Sequence, residues 1–200
     1  MLVPRRRRRA GIHSPGMIVL IIVGAIVLAL VIFLITAYNG LIRRRNQIEN
    51  AWSQIDVQLK RRLDLIPNLV ETVKGYAAHE KETLERVIQA RNMAMQAPNN
   101  PHAQAEADNQ LTGALKSIFA LGEAYPDLKA NQNFLQLQEE LTATEGRVAY
   151  SRQFYNDSVL EYNNKLQQFP TMYFARALKF ERREYFEADE AARTAPNVSF

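Results

Sequence analysis

The sequence predicts an all-α protein with one N-terminal transmembrane helix, an antiparallel up-down bundle similar to a four-helix bundle, and a short amphipathic C-terminal helix. One uninterrupted apolar run occupies residues 17–37. In the more polar remainder, apolar residues recur three and four positions apart, which is the spacing of one helical face. No segment alternates as a half-buried strand does. The expected segments are a basic tail at 1–16, the transmembrane helix at 17–37, the bundle at 38–170, the amphipathic helix at 171–190 and a tail at 191–200.

The apolar run has the length of a single membrane crossing. It contains no charged residue, and a helix of this length spans about 31 Å, which matches the hydrocarbon core of a bilayer. A cleaved signal peptide would have a shorter apolar region and end in a small-residue site, which Ile35 and Ala37 do not form. We therefore predict an uncleaved, single-pass membrane anchor.

Arginines flank the apolar run on both sides. They are Arg5, Arg6, Arg7, Arg8 and Arg9 before it, and Arg43, Arg44 and Arg45 after it. Beside a membrane span, such cations are expected to contact anionic lipid headgroups, so the bilayer is a predicted partner. Nucleic-acid binding is the alternative interpretation of an arginine run. The larger count before the span favours a cytoplasmic N-terminus, with the bundle on the exported side.

The net charge of +4 comes from these flanking arginines. From residue 46 to residue 200 there are 17 basic and 21 acidic residues, a sum of −4. A mildly acidic body with a single Trp argues against a nucleic-acid partner. The absence of cysteine excludes disulfides, thiolate catalysis and cysteine-ligated metals.

Prolines divide the remaining chain into helices. The first stripe contains Ile48 and Ile55 and predicts a helix at about 41–63, into which the membrane helix continues directly. Asp64 is a candidate N-cap for a second helix that has Pro67 in its first turn and fades near Ala97.

Two further helices follow the proline-rich stretch at 97–103, which is expected to be a loop. The third is expected at about 102–122 and ends near Gly122. The fourth is the longest, because a heptad-like stripe runs from Phe134 to Pro170.

Two blocks of residues carry a resemblance to a known family. The first comprises Tyr38-Asn39-Gly40-Leu41, Arg45-Asn46, the run NAWSQIDVQLKRR at 50–62, the run DLIPNLV at 64–70 and Gly75-Tyr76. The second comprises Tyr125-Pro126-Asp127-Leu128-Lys129, Leu137, Glu139, Leu141, Thr144-Glu145, Arg152, Tyr155-Asn156 and Tyr162-Asn163. In order and spacing, residues 38–190 closely resemble the LemA family of bacterial membrane proteins.

The resemblance implies an N-terminal membrane helix followed by an antiparallel bundle, located at the bacterial inner membrane. It implies no established enzymatic reaction. Relatives are associated with envelope maintenance, with membrane proteases of the HtpX type and with the building of magnetosome membranes. The chain departs from the family mainly in its basic N-terminal tail and at its extreme C-terminus.

The residues themselves predict no catalytic, metal or cofactor site. His79-Glu80 begins like a zinc-protease motif, but position 83 is Thr where the second His is required. The Glu-x-x-His pair of di-iron bundles is absent, because Tyr76 and Asn99 precede His79 and His102 by three residues. We expect that the protein is not an enzyme; a hydrolase or metalloenzyme would require a polar catalytic cluster that the sequence does not present.

Two sets of residues are candidates for interactions. On the predicted C-terminal helix, an apolar face carries Tyr173, Phe174, Leu178, Phe180 and Tyr185, and a basic face carries Arg176, Lys179, Arg182 and Arg183. This helix could dock on the bundle, lie on an anionic membrane or contact another subunit. The second set is a polar group that either sets helix register or faces water: Asn46, Asn50, Asp56, Glu145 and Arg152.

These features favour a membrane-anchored scaffold that self-associates into a homo-oligomer. The alternative is an adaptor or regulator that presents the bundle to another membrane protein, such as an HtpX-type protease.

Overall fold

The computed structural model describes residues 15–187, and within them every regular element is a helix. The helices are α1 (Pro15–Lys74), α2 (Lys81–Gln96), α3 (Pro101–Ala124), α4 (Pro126–Lys129), α5 (Gln132–Gln167) and α6 (Thr171–Ala177). The all-α prediction is confirmed. Arg5–Arg9 and the tail predicted at 191–200 lie outside the described residues.

The chain divides into two units, the first ending at Ile42 and the second beginning at Arg43. The described part of the first unit is the apolar beginning of α1, where large apolar side chains such as Leu20, Ile21 and Ile26 are exposed. By length and composition, this helix can cross a membrane. Its outward-facing apolar side chains are what lipid contact requires.

In the second unit, α1 and α3 run in the same direction. Near the start of α3, Asn99 Oδ1 accepts a hydrogen bond from Trp52 Nε1 at 3.2 Å. Ten residues further along α1, Arg62 Nη1 lies 2.7 Å from Asp108 Oδ1. Both sequences advance together, so the two helices are parallel.

The other two long helices run the opposite way. The rings of Trp52 and Tyr155 pack with centroids 5.6 Å apart, and Asn131 Nδ2 donates to Tyr76 Oη at 2.9 Å. From the first contact to the second, the residue numbers rise from 52 to 76 on the α1 side and fall from 155 to 131 on the α5 side, so α5 is antiparallel to α1. The short loop between α2 and α3 makes a helical hairpin, which completes an up-down-up-down bundle.

The core of the bundle draws on all four long helices and on the short α4. Its buried members share positions three, four or seven apart on each helix, as the sequence predicted. They include Ile66, Leu69 and Val73 of α1, Leu84 and Val87 of α2, Leu111, Leu115 and Ile118 of α3, Leu128 of α4, and Phe134 and Leu141 of α5.

The predicted break at 63–64 is wrong, because α1 continues through Pro67 to Lys74. A proline inside a helix leaves the carbonyl four residues earlier without its usual donor. Here that carbonyl belongs to Leu63, and Arg91 Nε of α2 donates to it at 3.0 Å. A neighbouring helix thus supplies the hydrogen bond that the proline cannot.

Replacing Arg91 with methionine is expected to lower the free energy of unfolding by about 1 kcal/mol or somewhat more, because the Leu63 carbonyl loses the donor that Arg91 supplies. Urea unfolding of the full-length protein, followed by the fluorescence of Trp52, measures the change. Arg86→Met is the control, since Arg86 makes only an exposed pair with Glu82 of its own helix. Equal effects of the two substitutions would contradict the role of Arg91.

Gly122 is a second point where packing decides the sequence. A Cβ atom at Gly122 would lie 2.9 Å from Cε1 of Phe134, and Phe134 is buried in the core. Gly113 lies on the same helix, but nothing lies within 4 Å of the position of its Cβ.

The two glycines of α3 should therefore respond oppositely to alanine. Gly122→Ala is expected to destabilise the protein by about 1–2 kcal/mol through overpacking. Gly113→Ala is expected to stabilise it by up to about 1 kcal/mol, because alanine has the higher helix propensity. The same urea titration measures both, and a destabilising Gly113→Ala would show that helix propensity does not limit stability at this position.

The predicted amphipathic helix at 171–190 is much shorter than expected. Helix α6 ends at Ala177, and the rest of its described length, residues 178–187, is not helical. The turn begins at Lys179, whose φ of 55° lies in the left-handed region. Because glycine usually occupies such a position, the sequence contains no local signal for this helix end.

Candidate interaction site

A buried cluster of charges joins three helices of the bundle. Asp108 of α3 lies between two guanidinium groups, with Arg62 Nη1 of α1 at 2.7 Å from Oδ1 and Arg152 Nη2 of α5 bonded to Oδ2. Arg62 is 2% exposed and Asp108 is 4% exposed. Arg62 also donates to Thr112 Oγ1 at 3.0 Å. One carboxylate therefore ties α1, α3 and α5 together.

Two further contacts complete the cluster. Glu145 Oε2 lies 3.8 Å from Arg62 Nη2, at a half-exposed edge. The guanidinium of Arg152 lies 4.7 Å from the ring centroid of Phe186, a cation–π contact. Burial lowers the pKa of Arg152 and the charge of Arg62 adds to this, while the Asp108 carboxylate opposes it.

The cluster is suited to fixing helix register rather than to catalysis. A guanidinium does not give up its proton in proteins, so neither arginine can act as a general base. Of the predicted polar group, the structure brings Glu145 and Arg152 into the cluster. Asn46, Asn50 and Asp56 are exposed and lie outside it.

Sequence reasoning missed Arg62 and Asp108, the two central residues. Arg62 follows Lys60 and Arg61, and a run of three basic residues is typical of an exposed position. Its position carries a signal nonetheless, because Ile48, Ile55, Arg62 and Leu69 are seven residues apart and all four are buried. A charge that continues an apolar heptad stripe predicts a buried ion pair.

The segment after α6 has no regular secondary structure and is held by two amide side chains of α5. Asn163 accepts from the backbone N–H of Arg183 at 2.9 Å and donates to the carbonyl of the same residue at 2.9 Å. Asn156, one heptad earlier on α5, makes the same pair of bonds with Phe186 at 2.8 and 3.3 Å. These bonds satisfy the backbone groups of a chain that has no strand partner. We call residues 182–187, held in this way, the clasped segment.

An aromatic cleft receives the end of the clasped segment. The buried ring of Phe186 lies 6.0 Å from the ring of Trp52, which also contacts Tyr155. Tyr155 Oη donates to the carbonyl of Glu184 at 3.0 Å. Burial raises the pKa of Tyr155 to about 12, so the phenol keeps the proton that it donates. Arg183 Nη2 adds an ion pair with Glu49 of α1 at 2.8 Å.

The end of α6 at Ala177 divides the predicted interaction residues of the C-terminal helix into two groups, one in or just after α6 and one after the turn. Tyr173, Arg176 and Leu178 are exposed in or just after α6, and Phe174 is partly buried there. The remaining candidates follow the turn, where Lys179 and Arg182 are exposed and Phe180, Arg183 and Tyr185 are partly buried. They do not share two faces of one helix. After the membrane run, Arg43 and Arg45 are exposed and Arg44 is partly buried.

Within residues 15–187, no group of three or more histidine, aspartate or glutamate side chains could hold a metal ion.

Comparison with known proteins identifies relatives over most of the chain. The sequence model of the LemA family matches residues 51–200. The Protein LemA of Metamycoplasma hominis is 29% identical over 161 residues, which cover 80% of this chain and 74% of the relative. Magnetosome protein MamQ 2 of Paramagnetospirillum magneticum is 24% identical over 216 residues, covering 96% and 78%. Magnetosome protein MamQ of Magnetospirillum gryphiswaldense is 24% identical over 218 residues, covering 96% and 80%.

Proposed function

This chain belongs to the LemA family, and we propose that it is a non-enzymatic, membrane-anchored scaffold that self-associates at the bacterial envelope and organises or shapes the membrane there. The apolar helix supports the anchoring role, and the relatives named as magnetosome proteins support a role in a larger cellular assembly. We place the contact between copies on the surface of the bundle.

The observation that carries the proposal is an exposed aromatic patch at the end of the bundle, formed by Phe169, Met172 and Tyr173. Phe169 is 79% exposed and Tyr173 is 62% exposed, yet their rings are already arranged edge to face with centroids 6.2 Å apart. Aromatic side chains and methionine are enriched at protein interfaces, where a rigid ring buries area at little cost in conformational entropy. Single exposed apolar residues are common on protein surfaces, whereas a preformed aromatic pair with an apolar neighbour is typical of a contact site.

The test is the native mass of the full-length protein in mild detergent, measured by light scattering with the detergent contribution subtracted. We expect a particle of many identical chains, and a smaller one for the double variant Phe169→Ser/Tyr173→Ser. Tyr150→Ser is the matched control, because Tyr150 is 71% exposed on α5 and lies far along the helix from the patch. Substitutions are preferable to removing residues 171–200, because truncation would also remove the clasped segment.

Two outcomes would contradict the proposal. A small species that co-purifies with one foreign chain in equal amount would favour the adaptor of another membrane protein, such as an HtpX-type protease. An oligomer that the double variant and the control change equally would show that the aromatic patch is not the contact.

A further inference from the structure

A basic pocket lies where the turn after α6 meets α1 and α5. Its volume is about 240 Å³, and its lining includes Arg45 of α1, Tyr162 of α5 and the turn residues Lys179, Glu181, Arg182 and Arg183. Sites that bind drug-sized ligands have volumes of roughly 300–1,000 Å³. This pocket is smaller, and its volume suits a small polar group. Four cations against one carboxylate make it a site for an anion.

The cations of the pocket are only partly neutralised. Arg183 pairs with Glu49 at 2.8 Å. Among residues 15–187, no ion pair joins Arg45, Lys179 or Arg182 to an acidic side chain. Three guanidinium groups and one ammonium group in one small pocket can donate hydrogen bonds to phosphate oxygens.

The backbone holds one of these cations in an unfavourable conformation. The turn after α6 has two bonds that close a helix end of the Schellman type, from Phe180 N to Ala175 O at 2.9 Å and from Lys179 N to Arg176 O at 3.2 Å. Glycine is the usual residue where Lys179 stands, because φ is 55°. A lysine at such a position is strained, and strained residues cluster at functional sites.

Tyr162 contributes a neutral donor beside the cations. Burial raises the pKa of Tyr162 and Glu181 adds to this, whereas the charges of Arg183 and Arg45 oppose it. The phenol is therefore protonated at neutral pH, and its O–H is available to an acceptor in the pocket.

We propose that this pocket binds the phosphate group of an anionic phospholipid headgroup, with Arg45, Lys179, Arg182 and Arg183 as the binding cations. Arg45 follows Ala37, the end of the apolar run, by eight residues. That separation is about 12 Å if helical and at most about 28 Å if fully extended, so the chain itself keeps Arg45 within that distance of the end of the apolar run. The site would hold individual lipids of one charge class beside the anchor, and it does not depend on self-association.

Native mass spectrometry of the full-length protein in mild detergent tests the proposal by counting bound phosphatidylglycerol per chain. We expect saturable binding of phosphatidylglycerol, little binding of zwitterionic phosphatidylcholine, and no competition from millimolar inorganic phosphate. Arg45→Gln/Arg182→Gln is expected to weaken binding about 30-fold. Each cation near an anionic surface contributes about 1 kcal/mol of binding free energy, and the loss of about 2 kcal/mol corresponds to that change in affinity. The control Arg61→Gln/Arg147→Gln removes the same charge from exposed positions outside the pocket and should have a much smaller effect.

A second variant separates binding from folding. Lys179→Gly removes a binding cation and places glycine where φ favours it, so it should weaken lipid binding while the unfolding temperature stays equal or rises. Equal binding of both lipids, equal loss in the pocket and control variants, or displacement of the lipid by inorganic phosphate would each overturn the proposal.

Discussion

Replacing Asp108 with alanine is expected to lower the free energy of unfolding by about 3–5 kcal/mol, because it leaves a buried guanidinium without its counter-charge. Arg62 is 2% exposed and loses its 2.7 Å contact, while Arg152 loses the carboxylate to which its Nη2 is bonded. Urea unfolding of the full-length protein in detergent measures the loss. Trp52 reports on the bundle specifically, because it is the only tryptophan and packs against Tyr155 and Phe186.

Two companion variants make the Asp108 result interpretable. Asp157→Ala removes an exposed aspartate from α5 and should change stability by no more than about 0.5 kcal/mol. Arg62→Met, Asp108→Leu and Arg152→Met together should recover most of the loss, since apolar residues of similar volume often replace a buried ion-pair cluster without cost. If Asp108→Ala had as small an effect as Asp157→Ala, the cluster would not stabilise the bundle.

Replacing Asn163 with alanine is expected to cost about 2–3 kcal/mol and to free the clasped segment. The amide side chain makes both backbone hydrogen bonds of Arg183, and a side chain that bonds neither group leaves a donor and an acceptor in a partly buried site. In contrast to Asp108→Ala, which destabilises the whole bundle, Asn163→Ala should first open the clasped segment. The backbone amides of residues 183 and 186 should therefore exchange with solvent before the bundle unfolds.

Hydrogen exchange measured by mass spectrometry, together with the same urea titration, tests the clasp. Asn164→Ala is the control, because Asn164 is the exposed neighbour on α5. Asn163→Asp should give amide exchange rates and a loss of stability between those of Asn163→Ala and Asn164→Ala. Its carboxylate still accepts from the N–H of Arg183 but cannot donate to the carbonyl. Equal exchange in the Asn163→Ala and Asn164→Ala proteins would show that the clasped segment is held by other contacts.

The sequence was sufficient where a local property decides the structure. The apolar run at 17–37, the all-α class and the ends of α3 within two residues of the prediction all follow from composition, spacing and turn chemistry. At the start of α3, Asn100 caps the helix by accepting from Ala103 N at 2.8 Å, with Pro101 in the first turn. Such signals act over a few residues and need no knowledge of distant partners.

The sequence was insufficient where two distant residues decide together. Pro67 is a helix breaker by local rules, and α1 passes it because Arg91 of another helix bonds the carbonyl of Leu63. Residues 178–187 have helical composition, and the chain is not helical there, where Asn156 and Asn163 bond its backbone.

The sequence by itself thus determined the all-α class, the apolar stripes of the long helices and which helix can cross a membrane, because periodicity and hydrophobicity are properties of a single segment. Only the tertiary structure decided where α1 and α6 end, that Asp108 joins Arg62 and Arg152, and that a basic pocket forms beside Arg45. The physical reason is that a hydrogen bond or ion pair depends on the position of its partner, and partners 20 to more than 100 residues away meet only once the bundle has packed.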